Sequence, residues 1–128
     1  MKKYCLPLLC LAVVAMCSAS AWAIPPFDAA FKKMYVKEGD ALDAKVKETK
    51  CNVCHVGKEK KDKNEYGKAV GKYLKKADFT GDAKKFDNVK SDEAQKALAD
   101  GLQSAEAEKS SGGKSFGELI KAGELPAK

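Results

Sequence analysis

The stretch Cys51-Asn52-Val53-Cys54-His55 places two thiols and an imidazole within a few residues of each other in a chain of 128 residues. Residues at positions i, i+3 and i+4 of a helix lie on the same face. The side chains of Cys51, Cys54 and His55 are therefore expected to converge on one side of the backbone. His55 is also the only histidine in the sequence, so any chemistry that needs an imidazole must occur at this stretch.

A C-x-x-C-H run in an exported protein is typical of the attachment site of a c-type haem. Thiols at this spacing can add to the two vinyl groups on one edge of a porphyrin, while the imidazole reaches the iron. We expect His55 to bind iron as a neutral imidazole and Cys51 and Cys54 to form the thioether links. The predicted cofactor is one covalently attached haem c with its iron.

The N-terminus predicts export. Met1-Lys2-Lys3 gives a positive start, an apolar run follows from about Tyr4 to Cys17, and small residues lead to Ala21-Trp22-Ala23. This is the pattern of a secretory signal peptide with an A-x-A cleavage site. We predict a cleaved signal peptide at residues 1–23, a single haem-binding domain at 24–128 and a periplasmic location. An uncleaved membrane anchor is less favoured, because the apolar run is shorter than the roughly 18 residues that a spanning helix needs.

The remaining cysteines and the charge narrow the class of protein further. Cleavage would leave only Cys51 and Cys54 of the five cysteines, so no wider disulfide framework is available. The chain carries a net charge of +6, and all its basic residues are lysines. Lysine lacks the planar fork with which arginine recognises phosphates and bases, so nucleic-acid binding is disfavoured. We expect a monomer, without a transmembrane segment in the mature chain, whose partners are redox proteins with acidic surfaces.

Apolar periodicity predicts two helices before the motif. The first is expected to have Asp28 as its N-cap and to end at Gly39. Its apolar positions repeat at i, i+3, i+4, i+7 and i+8, and they are Phe27, Ala30, Phe31, Met34 and Tyr35. The second is expected to begin at Asp40 and to lead directly into Cys51.

Three more helices are predicted after the motif. One covers about residues 63–76, where Gly67 and Gly71 would allow close approach to the haem or to another helix. A second helix is predicted to begin after Ser91, which serves as its N-cap. The last is opened by the S-x-x-E capping box of Ser115. Residues 57–63 and 78–90 are expected to be loops, and no stretch predicts a strand. The fold class is therefore all-α, with four to five short helices around one covalently bound haem.

These features resemble a small, soluble bacterial cytochrome c of the class I type, which has an export signal, a helix leading into C-x-x-C-H and several short helices after it. The resemblance implies that Cys51 and Cys54 are the thioether cysteines and His55 the proximal iron ligand. Class I proteins commonly take a distal methionine from downstream of the motif, but no methionine follows His55. A class II cytochrome c′ is a poor match, because its motif lies near the C-terminus of a four-helix bundle.

The distal iron ligand is left open by the sequence. Met34 is the only methionine of residues 24–128, and it is either the second metal ligand or a core residue on the first helix. Lysine amines, Tyr66, Tyr73 and water are other candidates. Tyr66 and Tyr73 could also bind the haem propionates, as could Lys58 or Lys68.

The sequence therefore predicts a periplasmic monohaem c-type cytochrome, which is not an enzyme and which carries single electrons between redox partners. One alternative is a haem protein with an open distal site that binds a small gas or weakly reduces peroxide. Another is a haem subunit of a larger respiratory complex. A thioredoxin-like site would need a βαβ setting, and a structural zinc site would need a further ligand. Neither is apparent in the sequence.

Overall fold

A computed structural model describes residues 25–82 and 84–126 of the chain. The predicted signal peptide lies outside these residues. The described part is mostly helical, as expected. Its elements are helices α1 (Pro25–Tyr35) and α2 (Ala41–Thr49), a 3-10 turn (Lys50–Val53), strands β1 (His55–Val56) and β2 (Asp62–Lys63), and helices α3 (Glu65–Tyr73), α4 (Lys76–Phe79), α5 (Asp92–Glu106) and α6 (Phe116–Lys121).

The expectation that the chain contains no strand is wrong. Strands β1 and β2 form a two-stranded antiparallel ribbon directly after the motif, in which His55 pairs with Lys63 and Val56 with Asp62. Gly57 and Lys60 adopt positive φ angles of 75° and 54° where the chain reverses between the strands. Strands of two residues are too short to leave an alternating pattern, so sequence periodicity could not reveal them.

Helix α1 begins earlier than the sequence predicted. Pro25 is its first residue, which is compatible with helix geometry because the first-turn N–H groups have no partner within the helix. Asp28 therefore lies within the first turn and not at the N-cap. Its carboxylate forms an ion pair with Lys32 one turn later, at 2.7 Å. The next helix agrees with the prediction, since Asp40 flanks the start of α2.

The predicted third helix, about residues 63–76, is present as α3 but ends earlier, and a separate short helix, α4, runs into the stretch that was expected to be a loop. Asn64 caps α3, which ends at Tyr73, and the short helix α4 follows after a break at Leu74. The break turns the chain so that Phe79 is buried against Phe86, with the ring centroids 5.0 Å apart. The two phenylalanines therefore anchor this stretch of the chain, the start of which is helical.

The core lies where α1, α3 and α5 meet. Tyr66 of α3 is fully buried, and its ring makes edge contacts with Phe31 of α1 and Phe116 of α6, at centroid distances of 5.8 and 5.3 Å. Gly101 of α5 lies so close to α3 that an added Cβ would come within 2.3 Å of the Leu74 side chain. The absence of a side chain at Gly101 therefore permits close packing of α5 at this point.

Both predicted caps after residue 90 are confirmed. The Ser91 side chain accepts a hydrogen bond from the Ala94 N–H. At α6 the full capping box is present: the Glu118 N–H donates to the Ser115 hydroxyl, and the Ser115 N–H donates to the Glu118 carboxylate. These hydrogen bonds hold the pKa of Glu118 below its usual value. Within residues 25–82 and 84–126, no helix combines the length and apolar character needed to cross a membrane.

Substituting Ser115→Ala is expected to lower the free energy of unfolding by about 1 kcal/mol, because the capping box loses its hydroxyl. The measurement is chemical denaturation followed by circular dichroism. Ser104→Ala in the last turn of α5 is the control, because that hydroxyl bonds to the Asp100 carbonyl of its own helix, and alanine favours helix. Equal losses in the two variants would contradict the assigned role of the cap.

Candidate haem site

A cavity of about 240 Å³ lies beside the motif, and Cys51, Cys54 and His55 all line it. The backbone that brings them together differs from a single α-helical turn. Cys51 lies in the 3-10 turn, Cys54 follows it, and His55 begins β1. Lys50 has a positive φ of 51° where α2 ends and the 3-10 turn begins. The backbone changes direction at this residue, just before the motif that lines the cavity. The predicted convergence of the three side chains is present.

Asn64 links the start of α3 to the motif through hydrogen bonds. Its side-chain amide donates to the carbonyls of Asn52 and Val53, at 3.1 and 2.9 Å, while its carbonyl oxygen accepts from the Gly67 N–H at 2.8 Å. The Asn64 backbone N–H also donates to the Cys54 carbonyl at 3.1 Å. One buried asparagine therefore caps the helix and fixes the backbone of the motif.

Gly67 allows this close approach. A Cβ added at Gly67 would lie 2.0 Å from the carbonyl oxygen of Cys54, which is far inside van der Waals contact. Gly71 is one turn further along α3 and lines the cavity, and a Cβ there would meet only the end of the Lys63 side chain, at 3.0 Å. Gly67 therefore approaches the motif backbone, which the sequence did not predict, whereas Gly71 leaves room on the cavity side.

The His55 ring is oriented by the ribbon. Its Nδ1 lies 3.3 Å from the backbone carbonyl oxygen of Asp62. A hydrogen bond from Nδ1–H to this carbonyl leaves the lone pair of Nε2 available for a metal. Metal-binding histidines usually have this kind of support from a carbonyl or carboxylate.

The rest of the cavity is divided between apolar and cationic groups. Its apolar wall comes from helices α1, α3 and α5 and from the 3-10 turn, and consists of Phe27, Phe31, Val53, Val70, Leu74 and Leu102. Its charged groups are Asp28 and four lysines, Lys50, Lys60, Lys63 and Lys76. A flat, largely apolar ring that carries two carboxylates matches this combination of groups.

Burial changes the acidity of the Cys54 thiol. Desolvation raises the pKa of the Cys54 thiol to about 12, with a further contribution from the Asp28 carboxylate. This thiol is therefore neutral at physiological pH. Both cysteines are free in the structure.

The other residues proposed from the sequence lie elsewhere. Met34 is on α1, partly buried against the hydrophobic core, and is not among the described residues that line the cavity. Tyr66 is in the core, and the Tyr73 hydroxyl bonds to Glu108 at 2.9 Å. Lys58 and Lys68 also lie outside the described lining.

Sequence reasoning missed several of the residues that shape the site. Asn64 could have been found from its place before an apolar helix, because asparagine is a favoured N-cap. The four lysines could not be singled out, because they are scattered over a turn, the β ribbon and α4. Only the folded chain shows which of the 24 lysines face the motif.

A c-type haem fits the donor set of this site. Among the described residues, no group of three or more His, Cys, Asp or Glu side chains is arranged to hold a metal ion. A haem iron needs no such group, because the porphyrin supplies the equatorial ligands and the protein supplies axial ones. Two thiols and one supported imidazole on a shared apolar cavity are the groups that a c-type haem uses.

Comparison of the chain with protein-family models, with curated proteins and with solved structures finds no match. The functional argument therefore depends on the residues and the geometry of this chain.

Substituting Gly67→Ala is expected to destabilise the protein by about 1–3 kcal/mol, because the new methyl group forces α3 away from the Cys54 carbonyl. Gly71→Ala is the matched control on the same helix, where only the flexible end of Lys63 must move. Thermal unfolding of both variants measures the difference. A Gly71→Ala loss as large as that of Gly67→Ala would contradict the assigned close approach.

Proposed function

We propose that this chain is a monohaem c-type cytochrome that carries single electrons between redox partners in the periplasm. The observation that carries the proposal is that Cys51, Cys54 and His55 line one cavity with an apolar wall. The periplasmic location is supported by the signal-like sequence of residues 1–23. When bound, the haem would supply an iron that cycles between Fe(II) and Fe(III).

The two thiols support covalent attachment. Each S–H can add across a vinyl C=C bond of the porphyrin, so that sulfur bonds to one carbon and the proton goes to the other. This addition involves no net oxidation or reduction. The Cys51 and Cys54 thiols are both free and both face the cavity, as such an addition requires.

His55 would hold the iron through Nε2. Its Nδ1 lies 3.3 Å from the Asp62 carbonyl oxygen, which can only accept a hydrogen bond, so this contact places a proton on Nδ1 and favours Nε2 as the nitrogen that binds the iron. The ribbon that supplies this carbonyl belongs to the same stretch of chain as the motif. The proposed iron ligand, His55, and the carbonyl group that orients it therefore come from neighbouring parts of the chain.

The four cavity lysines would neutralise the haem propionates. Lys50, Lys60, Lys63 and Lys76 contribute positive charge to a cavity that otherwise has one charged residue, Asp28, among its described lining. The Asp28 carboxylate is already paired with Lys32 at 2.7 Å. The surplus of positive charge therefore favours a dianionic ligand.

Export of the chain in a host that matures c-type cytochromes tests the proposal. The purified protein is expected to carry one haem that survives denaturation and acid extraction, as measured by intact mass and by the reduced absorption spectrum. The variant Cys51→Ala/Cys54→Ala is expected to lose this covalent haem, whereas Ser104→Ala retains it. A wild-type protein without covalent haem, when a known c-type cytochrome is matured in the same host, would overturn the proposal.

The exposed lysines suit a redox partner with an acidic surface. Lys58 and Lys61 lie on the turn between β1 and β2, next to the site, and both are exposed. Charges of opposite sign speed the encounter of two proteins, and salt screens this attraction. We expect the rate of electron transfer from an acidic donor to fall as the ionic strength rises.

Stopped-flow reduction over a series of salt concentrations measures this dependence. The variant Lys58→Glu/Lys61→Glu is expected to be slower at low salt and similar to the wild type at high salt. The control is Lys33→Glu/Lys37→Glu, which changes the charge equally at exposed positions outside the turn between β1 and β2. A wild-type rate that does not depend on salt would contradict electrostatic steering.

A further inference from the structure

The proposed haem cavity lacks a thioether. Met34 is the only methionine among the described residues, and it does not line the cavity. Phe31 is the last residue of α1 that does. Met34 lies three residues further along the helix, which is about 4.5 Å along its axis. For Met34 to take the place of Phe31, α1 would have to slide by nearly a turn.

Helix α1 is held against such a slide by aromatic contacts. The Phe27 ring makes an edge contact with Phe79 at a centroid distance of 5.4 Å. The Phe31 ring contacts both Tyr35 and Tyr66, at 5.1 and 5.8 Å, and is almost completely buried. A shift of one turn would break these contacts.

The other polar groups of the cavity have partners of their own in the proposed site. Asp28 is paired with Lys32. The four lysines would pair with the haem propionates, as proposed above. Lys63 is also directly opposite His55 in the ribbon, and paired residues in antiparallel strands project on the same face. Lys63 therefore lies on the His55 side of the site.

The remaining side chains that line the cavity are hydrocarbon. Phe27, Phe31, Val70, Leu74 and Leu102 offer no hydrogen-bond donor from their side chains and no charge. The polarity and hydrogen-bond donors of a distal pocket decide which ligands a haem iron takes. An apolar wall favours a small neutral molecule over an anion, because an anion would lose its hydration without gaining a partner.

We infer that the iron held by His55 keeps its sixth position free of protein ligands, and that this position binds a neutral diatomic gas of the CO and NO class. Met34 is then a core residue of α1. This inference rests on the proposed function, since it requires the covalent haem. It adds a binding activity to the proposed electron carrier.

Optical spectroscopy of the mature holoprotein tests the inference, with CO as the probe. The wild type is expected to be high-spin and to bind CO in the reduced state in a single fast phase. Met34→Leu keeps the volume of the side chain and removes the sulfur, and it is expected to show the same spectrum and the same CO binding. Both proteins are first checked for covalent haem by mass.

Two outcomes would overturn the inference and leave the proposed function intact. One is a low-spin spectrum with a near-infrared sulfur-to-iron band that Met34→Leu abolishes. The other is a low-spin spectrum without that band that becomes high-spin as the pH is lowered, which would identify a lysine ligand. Absence of covalent haem from the wild type would instead overturn the proposed function, and this inference with it.

A matched pair of valines tests the role of the wall. Val70 and Val46 are both buried, but only Val70 is among the lining residues. Val70→Ala is expected to change the rate of CO binding several-fold, whereas Val46→Ala leaves it close to the wild-type rate. If both variants bind CO at the wild-type rate, the assigned binding wall is wrong. Thermal melts of both holoproteins establish that the variants are folded.

Discussion

The contact between the start of α3 and the backbone of the motif is the constraint on which the site depends. The Cys54 carbonyl accepts a hydrogen bond from the Asn64 N–H, and the Asn64 side chain binds two further carbonyls of the motif. Carbonyl groups buried without a partner would be costly. A single asparagine therefore stabilises the turn while it starts the helix that forms one wall of the cavity. The absence of a side chain at Gly67 is what permits this approach.

The packing around the site suits a small protein that is completed by a cofactor. The aromatic contacts join α1, α3 and α6 on one side of the cavity, and Gly101 lets α5 pack against Leu74. Domains near 100 residues bury a modest fraction of their apolar surface. A large apolar ring in the cavity would extend this core, in line with the proposed haem site. The same wall that would hold the ring also surrounds the proposed gas-binding position.

Those parts of the fold that depend on local signals could be predicted from the sequence. The caps at Ser91 and Ser115 follow from side chains that bond to nearby backbone groups. The start of α2 after Asp40 was also predicted, although the Asp40 side chain makes no capping hydrogen bond. The two-stranded ribbon could not be predicted, because it depends on positive φ angles at Gly57 and Lys60 and leaves no periodic pattern.

The same distinction applies to the site. The spacing of Cys51, Cys54 and His55 identifies the residues at its centre, and the structure brings them to one cavity. The four lysines of the cavity, and the position of Met34 beyond it, depend on how distant elements pack against each other. Sequence alone limits the candidates for the distal ligand but does not choose among them.

If the proposed haem is attached, the burial of Cys54 affects the order in which the chain folds and matures. Its thiol is largely desolvated, and its backbone is fastened to α3 through Asn64 and lies against Gly67. A maturation enzyme that must bring the porphyrin edge to both thiols has easier access to an open chain than to this closed one. The contacts that close the motif join residues only about a dozen positions apart, so they form quickly once the chain collapses. Under the proposed function, attachment of the haem before the chain folds is the sequence of events that this packing favours.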